Sequence, residues 1–136
     1  MKFDKEAALQ KYNQDVELHK EWVQHIDHDR LLDDDGYPTE YALNVIESWH
    51  WSDPRGWFDL IKSIWYMRDW GWKEAPLIDE IFPDKKGTAL YVSTAGWSGN
   101  ESIIKAMEKN CMGWYMNWVQ SRRGGHYIFE IKNRDE

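Results

Sequence analysis

A chain of 136 residues with 42% hydrophobic and 15% aromatic side chains can enclose a core without disulfides and is too apolar to be disordered. Its 24 acidic and 17 basic side chains, net -7, disfavour an extended nucleic-acid surface, which needs clustered lysine and arginine. The single cysteine, Cys111, excludes an intrachain disulfide and a metal-finger spacing, and no apolar run approaches the ~18 residues of a membrane span.

The opening Met1-Lys2-Phe3-Asp4 lacks the basic-then-apolar form of a signal peptide, so the expectation is a soluble, cytoplasmic, single-domain protein away from membranes. Cys111 is expected in the interior. From Asp4 to about Arg30 the apolar positions Leu9, Tyr12, Val16, His19, Trp22, Val23 and Ile26 recur at three and four, the period of an amphipathic helix. On such a helix His25 and Asp29 share a face, but further ligands at a zinc spacing are missing, and no metal site is expected. Asp33 to Pro38 is an acidic turn without EF-hand spacing.

Thr39 is placed to cap a second helix running to about Trp49, buried through Tyr41, Leu43, Val45 and Ile46. Ser52 or Asp53 before Pro54 opens a third, with Phe58, Ile61, Ile64, Trp65 and Arg68 in a stripe and Gly71 at its end. Six of the ten tryptophans, 49, 51, 57, 65, 70 and 72, fall in this short span, either as a core cluster or as a partner-binding surface. Residues 73–87 read as an irregular connection with a helical turn at Leu77 to Phe82.

Thr88 to Thr94 is strand-like. Ser98 and Glu101 have capping-box spacing for a helix over 99–109. Met112, Trp114, Met116 and Trp118 alternate as in a strand to Gln120, and Gly124-Gly125 turns the chain so that Tyr127, Phe129 and Ile131 return on the same face. The fold expected is α+β: three N-terminal helices in residues 1–87 packed on a small β-α-β-β sheet in 88–136.

Charge divides along the same line. Residues 1–87 carry 11 basic and 19 acidic side chains, net -8, and residues 88–136 carry 6 and 5, net +1, so an anion site belongs in the second half. Two stretches there have site chemistry. Gly96, Trp97, Ser98, Gly99 and Asn100 join a strand to a helix N-terminus, where glycines and free N–H groups can face an anion. Arg122 and Arg123 can fork onto a planar anion, His126 can move a proton, and Tyr127 begins the next strand. A plain turn and a solvated basic hairpin tip account for the same residues. Neither phosphate-loop nor dinucleotide fingerprints occur.

Ser93-Thr94-Ala95-Gly96-Trp97-Ser98-Gly99-Asn100-Glu101 with Ser121-Arg122-Arg123-Gly124-Gly125-His126-Tyr127 resembles paired motifs in small proteins of unknown function encoded by bacteriophages and prophages. Asp35-Gly36-Tyr37-Pro38-Thr39-Glu40 is similar as well, while the family usually has a second glycine where this chain has Ala95. The resemblance implies a phage accessory or host-interaction factor and no established activity. Two functions follow as expectations. One is a binding protein without a cofactor, holding a host or phage protein or a small anionic ligand through a tryptophan-rich surface and the Gly-rich/Arg site. The other is a small enzyme for a phosphate-bearing or nucleotide substrate, with Arg122 and Arg123 on the anion, His126 as acid or base, and Ser98 and Asn100 orienting an oxyanion.

Overall fold

The computed structural model describes residues 3–132, with residues 1–2 and 133–136 outside it. The elements follow the order α1 (Lys5–Gln24), a 3-10 turn (His28–Arg30), α2 (Glu40–Ser48), α3 (Pro54–Ser63), α4 (Arg68–Gly71), β1 (Trp72–Pro76), β2 (Gly87–Ser93), α5 (Ser98–Lys109), α6 (Cys111–Asn117), β3 (Trp118–Arg122) and β4 (His126–Lys132). The α+β class holds. The strands form one antiparallel sheet in the order β1-β2-β4-β3.

Local chemistry sets the boundaries. Asp4 caps α1 by accepting the N–H groups of Glu6 and Ala7, and the helix ends at Gln24, short of the expected Arg30. Asp27 then caps the 3-10 turn, its own N–H donating to the Tyr41 hydroxyl, so His25 and Asp29 do not share a helix face. Thr39 caps α2, and Asp53 with Pro54 opens α3, both at the expected places. α3 stops at Ser63 rather than at Gly71, with Ile64 as its C-cap at φ -111°, and Met67, left-handed at φ 57°, precedes the short α4.

Three further segments differ from expectation. Trp72 to Pro76, read as connection, is a strand, and only Trp72 of its five residues is buried, which is why no alternation marked it. No helical turn forms at Leu77 to Phe82, where the Asp79 carboxylate takes the N–H groups of Ile81 and Phe82 instead. Met112 to Asn117 is helical, because the Asn110 side chain caps α6 through the Gly113 N–H at 3.1 Å. Gly113 packs closely there, since a Cβ would lie 3.1 Å from the Trp57 ring. Asn110 and Gly113 take the interior positions of that turn and leave Cys111 exposed, contrary to the burial expected of it.

The helices cover one face of the sheet. Val45, Ile46, Trp57, Phe58, Ile61, Ile103, Ile104 and Met107 close over Leu90, Val92 and Phe129. Of the six clustered tryptophans, Trp49, Trp57, Trp65 and Trp72 are core residues. Three of them donate their ring N–H to a backbone carbonyl, Trp49 to Asp53, Trp57 to Ile46 and Trp65 to Ser93.

Asn110 ties this core together, its amide donating to the carbonyls of Ile46 (3.0 Å) and Trp49 (2.9 Å) while its oxygen caps α6. Asn110→Ala leaves the Trp49 carbonyl and the Gly113 N–H without their partner and takes one of two donors from the Ile46 carbonyl, and is expected to cost about 2 kcal/mol in urea unfolding at neutral pH. α1 is attached through His19, whose Nε2 faces Asp53 at 3.2 Å and whose Nδ1 accepts the His50 N–H at 3.4 Å. Burial, then the neighbouring His19, push the His50 imidazole below its ordinary value, against a weaker upward pull from Asp15. The folded state resists the proton that unfolded His50 accepts, so His50 costs no stability above its ordinary value and costs progressively more as the pH falls below it. The melting temperature should drop from about pH 7 to about pH 5.5, and His50→Gln should reduce that slope.

Candidate functional site

The two motif stretches meet, but only in part. Ser93 and His126 are register partners on β2 and β4, and the Ser93 hydroxyl forms a short hydrogen bond with His126 Nδ1. One residue on, the Thr94 N–H donates to the Gly125 carbonyl at 3.0 Å, and a Cβ on Gly125 would lie 2.3 Å from Thr94 Oγ1. The glycine is therefore required for this approach of hairpin tip to strand end.

Beyond Thr94 the first motif turns inward. Ala95 and Gly96 are both left-handed, at φ 56° and 70°, and carry the chain into α5. Trp97 lies against Tyr37 and Tyr66, with centroid distances of 4.7 and 4.6 Å, and Gly99 makes room for its ring. Asn100 is fully buried, donating to the carbonyls of Tyr66 (3.0 Å) and Thr94 (3.2 Å) and accepting the Tyr66 N–H at 3.0 Å. The expected capping box does not form. α5 begins at Ser98 itself, with Trp97 in the cap position and no side-chain cap, so the serine hydroxyl is already inside the first turn. Gly96 to Asn100 thus builds a junction, and none of these residues lines the pocket beside His126.

That pocket lies on the face of the sheet opposite α2, α3 and α5, with α4 at its rim. Strand register places Arg122, His126 and Ser93 in one row across β3, β4 and β2, and Lys73, Tyr91 and Ile128 in the row two residues along. Lys73 and Arg122 stand on the two outer strands, three strand spacings or about 14 Å apart, with Tyr91 and His126 on the strands between them. With Trp70 and Gly71 at the rim, these residues surround about 340 Å³. Trp70 and Tyr91 are 56% and 48% exposed. Among the described residues no carboxylate forms an ion pair with Lys73 or Arg122.

Arg123 sits in the hairpin turn and does not line the pocket. Tyr127 borders it, but its ring packs with Phe129 (6.3 Å) and Trp114 (6.2 Å), and burial together with Glu108 and Glu101 pushes its hydroxyl pKa up. Sequence reasoning missed Trp70, Lys73 and Tyr91. Tyr91 was legible as the outward residue between Leu90 and Val92, whereas Lys73 lay in the unrecognised strand.

The arrangement can bind an anion and place a flat group against Trp70 or Tyr91. The oxyanion set imagined around Ser98 and Asn100 is not assembled, because Asn100 has spent its amide on the fold. Among the described residues no helix is long and apolar enough to cross a membrane. No family model, curated protein or solved structure matches the chain.

Asn100 and the pocket should separate experimentally. Asn100→Ala is expected to lower stability by about 2 kcal/mol in chemical denaturation, because it strands buried backbone groups, and to leave anion affinity at the pocket unchanged.

Proposed function

We propose that the protein is a non-enzymatic binding factor, of the phage accessory kind its motifs resemble, that takes a small anionic ligand on the open face of its sheet. The observation that carries this reading is the convergence of Lys73, Arg122 and His126 with two exposed aromatic rings, in a chain whose net charge is -7. Placing cations on an exposed surface without ion-pair partners leaves them available to a ligand, and Arg122 can present two N–H groups to one carboxylate or phosphate. Binding of a host or phage protein belongs to the same reading, with the anion then carried by the partner.

Titration calorimetry with inorganic phosphate, nucleoside monophosphates and aromatic carboxylates tests it. At least one should bind, and Arg122→Ala should weaken that compound about tenfold or more with little change in melting temperature, the size expected for losing a charged hydrogen bond at an exposed position. Lys73→Ala should weaken it less. If none binds, or if Arg122→Ala and Lys73→Ala both bind as wild type, the site is elsewhere.

The Ser93–His126 hydrogen bond favours a second reading, an enzyme acting on a phosphate-bearing or nucleotide substrate. It requires turnover of an aryl phosphate or nucleotide that Ser93→Ala and His126→Ala both abolish.

A further inference from the structure

The sheet has two edges, and they are built differently. β1 is blunted: Pro76 lacks a donor, and Glu74 is tied to α3 by Arg55 at 2.6 Å and Lys62 at 3.4 Å. Among the described residues β3 has no proline and no ion pair across its edge, and its one irregularity is a register shift between Trp118 and Gln120 in its ladder to β4. All five of its residues are exposed, Val119 among them at 43%. Just before it α6 leaves Met112, Tyr115 and Met116 exposed, Tyr115 at 82%, so that with Trp118 and Val119 an apolar patch runs along residues 112–119. Beside the patch lies a groove of about 870 Å³, walled by Trp51, Pro54, Trp114, Tyr115 and Trp118 with Lys132 at its border. No carboxylate occurs between Glu108 and Glu130, although the chain has 24 acidic residues. A strand edge with free N–H and C=O groups beside an apolar patch is a template for pairing with another strand.

We propose that a second copy of this chain covers it, the two β3 strands pairing antiparallel about a twofold axis so that the sheet runs on from one chain into the other. Charge decides the orientation. The basic residues Arg122 and Arg123 stand at one end of β3 and the aromatic residues Tyr115 and Trp118 at the other. Antiparallel pairing brings the partner's Arg123 over this aromatic end, where a guanidinium is attracted to ring faces, whereas parallel pairing sets four arginines side by side. A twofold axis through the middle of β3 presents the same patch from both copies, with the apolar residues of each chain on either side of Gln120. The acidic residues responsible for the net charge lie outside the 109–129 segment, so the seam forms without carboxylates facing one another. A five-residue strand is too short for a stable interface of roughly 1,200–2,000 Å², and the α6 patch with the groove supplies the remaining area. Arg122 stays in the row with His126 on the open face, so the anion pocket remains available in the dimer.

Sedimentation equilibrium on the full chain tests this. The wild-type protein should be a dimer at micromolar concentration, and Val119→Lys, which sets two ammonium groups at the seam, should be monomeric with an unchanged circular dichroism spectrum. Arg123→Glu should weaken the dimer about tenfold, the loss of two cation–π contacts, while Ala75→Lys on the β1 edge should leave it intact. If Val119→Lys fails to fold, Tyr115→Glu, which lies outside the strand, decides in its place. A monomeric wild-type protein overturns the proposal, including one that uses this face for a different protein, and so does a dimer indifferent to both Val119→Lys and Tyr115→Glu.

Discussion

The architecture depends on covering a four-stranded sheet from one side only. Leu90, Val92 and Phe129 are fully or almost fully buried because α2, α3 and α5 lie across them, and an antiparallel sheet tolerates water on its other face. Alternation along each strand then decides what that other face carries. Opposite the core residues of β2 and β4 stand Tyr91, Ser93, His126 and Ile128, and the flanking strands add Lys73 and Arg122. The pocket is thus a consequence of where α2, α3 and α5 are absent, with α4 closing one side of it. At the far end of the same face the connection between β1 and β2 folds over Ala89, held by Lys85 between Asp79 and Glu130, which confines the open area to the end near His126.

The glycines of the two motifs act through packing. Gly99 accommodates the Trp97 ring, and Gly125 lets Thr94 approach the hairpin beside the Ser93–His126 pair. Ala95 at φ 56° carries a small strain that glycine would avoid, which the surrounding contacts of Thr94, Trp97 and Asn100 hold in place. Rigidity here matters for binding, since a shallow pocket gains affinity from side chains whose backbone does not move.

Elements with a strong period or a clear cap were legible in the sequence. Thr39, Asp53 with Pro54, and the Gly124-Gly125 turn mark their boundaries through local hydrogen bonds and backbone angles that neighbouring residues determine. The misread segments are those in which a distant contact outweighs the local pattern. Met112 to Asn117 alternates like a strand, yet Asn110 caps it and Trp57 presses against Gly113, and both are tertiary facts. β1 was invisible because as an edge strand it buries a single residue. The candidate site was half legible for the same reason: Arg122 and His126 are close in sequence, whereas Lys73, Trp70 and Tyr91 join them only through strand pairing.

The tryptophan excess resolves into two uses. Trp49, Trp57, Trp65 and Trp72 fill the core, where large rings bury much area per residue in a domain of this size. Trp72 is the exception in that group, since its ring nitrogen is buried without a hydrogen-bond partner among the described residues. Trp70 and Trp118 stand outside, one at the rim of the cationic pocket and the other at the start of the free edge strand. These two surfaces share β3 but use different parts of it, because Arg122 points to the open sheet face while the strand's unpaired backbone points along the sheet. A ligand on the face and a chain at the edge would therefore contact the same strand without competing. Any coupling between them would pass through the position of Arg122, whose backbone pairing with His126 is the last rung of the β3–β4 ladder.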